Sequence, residues 1–293
     1  MRLIRTLTAV LTAAVLAVPT ALSAGAATPV AQGRPAPAAA SVPAALPAVD
    51  MEAVVKAAQI DPRRPDDTRT AGARAGVLLV ERALAARGLL AARWVDGYFG
   101  TTTIAAYAAY QRSLGYRGLA ATGLPGIASL TALGARRYAV TRPLRPGGRV
   151  HWAGSGPVVD TRTRAMLAAA EQLAGRSLVL SQGSCNPGGD PTSAGTHDGG
   201  GVVDVSVSGM SAATRTAVVT ALRRVGFAAW LRNPRQGDWP WHIHAVAISD
   251  TDLSAAAQHQ VGDYYLGLDG LADHAADDGP RIPIRTWEEY RRR

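Results

Sequence analysis

Two short segments in the C-terminal half of the sequence carry the residues best suited to metal chemistry. The first reads HDGGGVVD and runs from His197 to Asp204, and the second reads WHIH and contains His242 and His244. Side chains alternate between the two faces of a β-strand, so His242 and His244 are predicted to share one face. Pairing of the two strands would bring Asp204 beside a histidine. The glycines at 199–201 allow a turn tight enough for His197 to reach the same point.

Two histidines and one carboxylate, with one coordination position left for water, make up the ligand set of a catalytic zinc site. Water bound to zinc in such a site becomes a source of hydroxide near neutral pH. Any one of these histidines taken alone is explained equally well as an ordinary polar residue. The convergence of three ligands on strand ends indicates a metal site, and Zn²⁺ is the cofactor that we predict.

The pattern H-x-x-G-x-x-x-D followed by H-x-H resembles that of the zinc D-alanyl-D-alanine carboxypeptidases. Their fold is shared with the lysostaphin-type peptidases and the hedgehog signalling domain. The resemblance covers roughly residues 150–250. It implies that His197, Asp204 and His244 bind zinc, and that His242 supports the ion or takes part in catalysis beside it.

The sequence also departs from the pattern of that family. The hedgehog-like form of the motif has a carboxylate six residues before the last ligand, which implies that Asp238 is the general base. Many of these carboxypeptidases have a glutamate three residues before a zinc histidine, but here Trp239 and Trp241 stand at those positions. Where the family usually has an arginine that holds the substrate, the run SQGSC offers Gln182 as a hydrogen-bond donor to substrate. Gly195 stands in place of a small hydroxyl residue.

These features leave two functions open. The first is a zinc-dependent, carboxypeptidase-like enzyme that acts on peptidoglycan stem peptides. The alternative is a non-catalytic cell-wall-binding protein that retains a structural zinc site. The single cysteine, Cys185, excludes an internal disulfide, and without a C-x-x-C partner it is interpreted as a lone thiol.

A second group of candidate binding residues lies upstream, in residues 73–136. The motif DGYFG at 96–100 returns 26 residues later as TGLPG, and in each copy two glycines suit a tight turn before a helix. The segment VDGYFGTTTIAAYAAYQRSLGY, followed by TGLPGIASLTAL, resembles the three-helix peptidoglycan-binding domain found at the ends of many wall hydrolases. The resemblance implies that Tyr98, Tyr110 and Gln111 contact muropeptide. A core position for each tyrosine is an equally open alternative.

Hydrophobic periodicity predicts the elements that must position these residues. Helical spacing of apolar residues in 73–87, 103–114 and 128–133 predicts an all-α three-helix module. The second part mixes helices and short strands without regular crossovers, which predicts an α+β domain with a small antiparallel sheet. Its predicted helices are 161–174 and 214–225, and its predicted strands are 177–181, 201–208, 227–231 and 242–248.

The N-terminus has the pattern of a secretory signal peptide. The basic residues of MRLIR precede an uncharged apolar run that ends at Leu22, and small residues then lead to a predicted cleavage site near Thr28. An uncleaved membrane anchor is disfavoured because the run is short for a bilayer and contains Pro19. We therefore expect a secreted protein, associated with the cell wall and free of the membrane after cleavage.

The charge of the chain bears on its partners. The formal net charge is +9, which favours anionic partners such as wall polymers in addition to peptidoglycan itself. No basic helix or aromatic-interleaved basic patch suggests nucleic-acid binding. We expect the protein to be a monomer.

The predicted organisation has six segments. They are a signal peptide (1–27), an Ala/Pro linker (28–47), a peptidoglycan-binding domain (48–140, with its core at 73–136), a second linker (141–149), a metallopeptidase-like domain (150–262) and a C-terminal tail (263–293).

Overall fold

The computed structural model describes residues 45–293, so the predicted signal peptide and most of the predicted Ala/Pro linker lie outside the described residues. Within this range the chain folds into eight α-helices and eight short strands. The strands make two two-stranded sheets and one four-stranded sheet. The described chain is therefore of mixed α and β class. None of its helices is both long enough and apolar enough to cross a lipid bilayer.

The first part of the chain is a group of four helices closed by a pair of short strands. The helices are α1 (Met51–Ile60), α2 (Arg74–Ala85), α3 (Thr101–Ser113) and α4 (Ile127–Leu133). Strand β1 (Ala48–Asp50) pairs in parallel with β2 (Ala139–Thr141). The all-α prediction missed this pair, because strands of three residues carry no periodic signal and form only where the two ends of the segment meet.

The second part of the chain holds the larger sheet. Its elements are β3 (Arg149–His151), β4 (Val158–Asp160), α5 (Thr161–Ala174), β5 (Leu180–Gln182), β6 (Val202–Ser206), α6 (Ala212–Val225), β7 (Phe227–Arg232), β8 (His242–Ala247), α7 (Ala255–Tyr265) and α8 (Trp287–Arg291). The sheet is antiparallel throughout, in the order β5-β6-β8-β7. Helix α5 begins after Asp160, whose carboxylate accepts the N–H of Thr163, and it ends at Gly175 in the left-handed conformation. Both caps are the ones that helix ends favour.

The two faces of this sheet are buried in different hydrophobic cores. Val203 and Val205 pack with α5 and α6 in one core. Val202 and Val246 point the other way and pack with α7 and the helices of the first part. Because side chains alternate along a strand, Asp204 lies on the α7 face of the sheet. The fold therefore places the candidate metal ligand on the face that the first part of the chain partly covers.

Residues 45–293 form one compact unit. The core that contains Val202 is continuous with the cores of α1 to α4. Polar contacts cross the same boundary: the Ser249 N–H donates to Gln59 Oε1 at 3.1 Å, and Gln258 Nε2 donates to Thr122 Oγ1 at 3.1 Å. One of the two hydrophobic cores therefore spans both of the segments that were predicted as separate domains.

The C-terminal tail ties the two parts together. Glu289 forms an ion pair with Lys56 of α1, and Glu288 forms one with the buried Arg162 of α5. Thr286 and Glu289 make a reciprocal capping box that fixes the start of α8. The C-terminal tail thus contacts both α1 and α5 through ion pairs made by two adjacent glutamates.

A buried carboxylate in α2 supports the turn before α3. Glu81 Oε2 accepts the backbone N–H groups of Asp96 and Gly97, and its Oε1 accepts the Thr103 hydroxyl. Burial nevertheless raises the pKa of Glu81 from 4.5 to about 7. Between those two values the unfolded chain binds fewer protons than the folded chain, so the folded state loses stability as the pH rises.

We therefore expect the free energy of unfolding to fall by up to about 3 kcal/mol from this group as the pH rises through that interval. Glu81→Gln should remove this contribution, because its amide oxygen can accept both N–H groups and its NH₂ can donate to Thr103 Oγ1. Urea unfolding of both chains from pH 4 to 8 measures the difference. A difference between wild type and variant that does not change with pH would contradict the prediction.

Candidate metal centre

The structure brings together the three residues predicted as metal ligands. Antiparallel pairing of β6 and β8 sets Asp204 opposite His244, and His244 Nδ1 lies 2.9 Å from Asp204 Oδ1. His197 approaches from the preceding loop, with its Nε2 3.4 Å from the same oxygen. One ligand atom from each residue lies within 4.8 Å of the others. This buried group could hold a metal ion, so the predicted convergence is confirmed.

A glycine in a special conformation makes the approach of His197 possible. Gly201 has a φ of +73°, in the left-handed region that a side chain rarely adopts. A Cβ atom at this position would lie 2.9 Å from Cβ of Asp250. The chain can therefore turn from His197 into β6 only because residue 201 carries no side chain.

Hydrogen bonds on the far side of each imidazole fix which ring nitrogen faces Asp204. His197 Nδ1 lies 2.8 Å from the carbonyl oxygen of Gly183, which can only accept, so this nitrogen carries the proton. His244 Nε2 lies 2.8 Å from the amide oxygen of Gln260. The nitrogens that face Asp204 are then His197 Nε2 and His244 Nδ1, each with its lone pair directed inward. Such outer partners orient the histidine ligands of metal sites.

The ring of His242 is oriented in the same way, with one nitrogen at a carbonyl oxygen and the other facing Asp204, but it lies slightly farther from Asp204. Its Nδ1 lies 2.8 Å from the carbonyl oxygen of Pro240, and its Nε2 lies 3.7 Å from Asp204 Oδ1. A lone pair that faces a carboxylate oxygen is repelled unless positive charge lies between them. One proton can bridge only one of these nitrogens to Asp204, whereas a divalent metal ion can accept several donors together. The donor set therefore fits a metal ion.

Near neutral pH, Asp204 and His244 favour the protonation states that bind a metal ion. Burial acts to raise the pKa of Asp204, but the imidazoles of His197 and His244, in the protonated forms that can donate to its carboxylate, hold this pKa well below its usual range. Burial lowers the pKa of His244, against the opposing effect of Asp204. An ionised carboxylate and a neutral imidazole are the ligand forms that bind metal ions.

The site lies in the wall of a large groove. The groove has a volume of about 1410 Å³, and His197, Asp204, His242 and His244 all contribute to its lining. Ligand pockets for small molecules have volumes of about 300–1,000 Å³, so this groove has room for a longer, peptide-sized ligand. A site that only stabilised the fold would not need such access.

Two further residues predicted for catalysis or substrate binding line the same groove. Asp238 lies in the loop between β7 and β8 and is exposed. Gln182 of β5 stands opposite Asp204 in the strand register. Its Nε2 is buried and has no hydrogen-bond partner in the described chain. Gln182 therefore has a free donor beside the metal ligands, and Asp238 is available to solvent at the rim.

Two of the three residues predicted to contact muropeptide lie in the core. Tyr110 and Gln111 are 1% and 4% exposed. Gln111 Nε2 donates to the Leu124 carbonyl, and its Oε1 accepts the N–H of Gly123. This corrects the prediction at both positions, because a side chain buried among core residues offers no surface to a polymer. Tyr98 is half-buried, its hydroxyl donates to the carbonyl of Asp61, and contact with muropeptide stays a prediction there.

Two residues of the site were not predicted from the sequence. Gln260 of α7 orients His244, and its Nε2 donates to the carbonyl of Gly270 at 3.2 Å, which turns its amide oxygen towards the ring. Arg232 at the end of β7 lines the groove, and burial lowers the pKa of its guanidinium to about 10. Neither residue belongs to a local motif, and only the packing of α7 and the strand register brings them to the site.

Replacement of Gln260 tests its orienting role. Gln260→Leu should lower zinc affinity by about 10–100-fold, which is the usual effect of removing a group that orients a metal ligand. Gln260→Glu keeps an oxygen acceptor for His244 Nε2 and should retain most of the affinity. Competition with a chromophoric chelator measures both variants. Wild-type affinity in Gln260→Leu would show that the contact is not needed for metal binding.

Comparison of the chain with protein-family models, with curated proteins and with solved structures found no match. The fold and the site together define a mixed α and β chain with a buried centre of two histidines and one carboxylate that opens on a groove. Function must be argued from the chemistry of that site, because a fold class by itself does not specify an activity.

Proposed function

We propose that this chain is a secreted, wall-associated zinc peptidase that acts on peptidoglycan stem peptides in the manner of a D-alanyl-D-alanine carboxypeptidase. The observation that carries the proposal is the convergence of His197 and His244 on Asp204 in the wall of a peptide-sized groove. The orientation of the histidines adds support, because their outer nitrogens are engaged by fixed acceptors. The sequence resemblance supplies the substrate class.

His197, Asp204 and His244 would hold the ion. When bound, Zn²⁺ supplies a Lewis acid that polarises a carbonyl and makes water acidic enough to lose a proton near neutral pH. His242 presents Nε2 towards the same point, because its Nδ1 is engaged by Pro240. When protonated, this nitrogen can donate a proton to the leaving amine.

Two other groove residues complete the proposed chemistry. Asp238 is the proposed general base, since its exposed carboxylate can take a proton from water in the groove. Gln182 can donate its unpartnered Nε2 hydrogen to a substrate carbonyl. Both residues would act on the peptide or on water, and neither is needed to hold the ion.

One observation favours the alternative of a non-catalytic wall-binding protein. Asp238 is exposed and makes no hydrogen bond with the three histidines of the site in the described chain. A base held so loosely is less well oriented than one fixed by hydrogen bonds. Under this alternative the zinc centre would stabilise the fold or bind peptide without cleaving it.

The proposed location and wall attachment rest on the sequence. The N-terminal pattern supports export, and the resemblance of residues 73–136 to peptidoglycan-binding domains supports attachment to the wall. The net positive charge would add attraction to anionic wall polymers. Tyr98 remains the candidate contact residue of this part.

The test uses the mature chain from Thr28 onwards. Its zinc content is measured by elemental analysis, and the loaded protein is incubated with defined muropeptides. Mass spectrometry then detects loss of a terminal alanine or cleavage of a cross-bridge. The peptidase proposal predicts one zinc ion per chain and a cleaved product. Stoichiometric zinc without product over the pH range 5–9 would overturn it in favour of the binding protein.

A further inference from the structure

Arg232 is a buried cation whose guanidinium forms no ion pair within 4 Å in the described chain. It lies at the end of β7 and is only 2% exposed. In the described chain its guanidinium makes one hydrogen bond, from Nη2 to the carbonyl oxygen of Asp269 at 2.7 Å. Its Nη1 is buried and has no partner. The guanidinium carbon lies 5.0 Å from the centre of the Trp230 ring, which holds the side chain in place.

An arrangement of this kind is unfavourable in an empty groove and favourable with an anion bound. Burial of a charged group costs free energy unless the charge is paired. A guanidinium presents a planar set of N–H donors that matches the two oxygens of a carboxylate. The carbonyl of Asp269 satisfies one donor. The carboxylates of Asp269 and Asp204 act on the guanidinium from a distance but do not pair with it. Arg232 therefore offers the groove a pre-oriented site for a carboxylate.

The strand register places this site beside the metal ligands. Arg232 of β7 stands opposite His242 of β8, and His242 stands opposite Ser206 of β6. Asp204 and His244 occupy the next row of the same face. Gln182 lies at the other edge of that row, on β5. A ligand that crosses the strands meets an amide donor at one edge, the metal ligands in the middle and a guanidinium at the other edge.

We infer that Arg232 binds a carboxylate of the ligand and sets its orientation across the metal centre. The inference rests on the proposed function for the identity of the ligand, a peptide with a free carboxylate. In the family that the sequence resembles, an arginine near the position of Gln182 holds the substrate. Arg232 would fill that role here, but it lies on the opposite edge of the sheet. The loop after α7 contributes to this site, since the carbonyl of Asp269 holds Arg232 and the carbonyl of Gly270 holds Gln260.

The test compares two small probes on the zinc-loaded wild-type chain. N-acetyl-D-alanine carries a free carboxylate, and N-acetyl-D-alanine amide does not. A hydrogen-bonded ion pair with a buried guanidinium predicts that the acid binds about 10–100-fold more tightly than the amide. A third probe, N-acetyl-D-glutamic acid α-amide, has a carboxylate only on its side chain. Its affinity shows whether a side-chain carboxylate binds as well as a terminal one. Affinities are measured by calorimetry, and nitrogen-15 spectra follow the arginine Nε–H resonances.

Variants assign the effect to Arg232. Arg232→Gln should remove the preference for the acid, and Arg232→Lys should retain part of it. Arg235→Gln is the matched control, because Arg235 is an exposed arginine of the same groove, and it should keep the full preference. The acid and the amide are compared on the wild-type chain, so the preference for the carboxylate can be measured even where a variant does not fold.

The outcomes separate this inference from the proposed function. Equal binding of acid and amide, binding of neither at millimolar concentration, or an unchanged preference in Arg232→Gln would overturn the role of Arg232. If muropeptides are cleaved while acid and amide bind equally, the peptidase proposal stands and the inference fails. If the acid is preferred through Arg232 but no peptide is cleaved, the inference stands and the chain is a binding protein.

Discussion

Replacement of His244 by alanine is expected to lower the zinc affinity of the chain by more than about 100-fold. Loss of a group that only orients a metal ligand lowers affinity by about 10–100-fold, and loss of the ligand itself removes more. His244 Nδ1 lies 2.9 Å from Asp204 Oδ1, nearer than His242 Nε2 at 3.7 Å, and belongs to the group whose ligand atoms converge. The two remaining ligands, His197 and Asp204, are too few to hold zinc tightly.

The effect is measured by chelator competition and by unfolding with and without zinc. Zinc at 100 times its dissociation constant should stabilise the wild-type chain by about 2.7 kcal/mol, whereas the variant should gain almost nothing. His151→Ala is the matched control, because His151 is an exposed histidine of β3 that lies outside the groove. Far-UV circular dichroism confirms that the variant is folded. Stoichiometric zinc in folded His244→Ala would remove His244 from the ligand set.

Under the proposed peptidase function, Asp238→Asn is expected to lower kcat for stem-peptide cleavage by about 10²–10⁴-fold, which is the usual contribution of a general base. Zinc content should not change, because Asp238 is not among the residues whose ligand atoms converge. Stability should change by less than about 0.5 kcal/mol, since the side chain is exposed and the replacement has the same shape. The combination of lost turnover with intact metal binding and stability distinguishes a catalytic residue from a structural one.

Asp273→Asn is the control for this experiment, because Asp273 is another exposed aspartate that lines the groove. It should cleave peptide at a rate close to that of the wild type. Full turnover in Asp238→Asn, combined with its loss in His242→Ala, would move the base to His242.

The sequence predicted helix α5 more closely than strand β5, and the two elements show why. Helix α5 spans Thr161–Ala174, as predicted, because an aspartate cap and a terminal glycine mark its ends locally. Strand β5 was predicted at 177–181 but forms at Leu180–Gln182, where it pairs with β6 through an irregular register. An edge strand takes its position from its neighbour in the sheet, and local periodicity does not contain that information.

The burial of Tyr110 and Gln111 shows a second limit of prediction from the sequence. Both residues lie in a helix whose location was predicted closely, at 103–114 against the observed Thr101–Ser113. Which face of that helix becomes the core depends on where α2 and α4 pack against it. Gln111 is buried because its amide satisfies two backbone groups of the turn at Gly123 and Leu124. A polar side chain with such partners looks like a surface residue in the sequence alone.

The sequence by itself indicated the group that could hold a metal ion, His197, Asp204 and His244. Strand alternation sets the directions of Asp204 and His244, and the glycines at 199–201 lead from His197 into the first strand. Tertiary structure alone decided the direction of each imidazole, through Gly183 and Gln260. It also decided that Arg232 lines the groove without forming an ion pair within the described chain. The physical reason is that ligand identity and alternation are local properties of the chain. Ring orientation, burial and charge pairing depend on contacts between elements far apart in sequence.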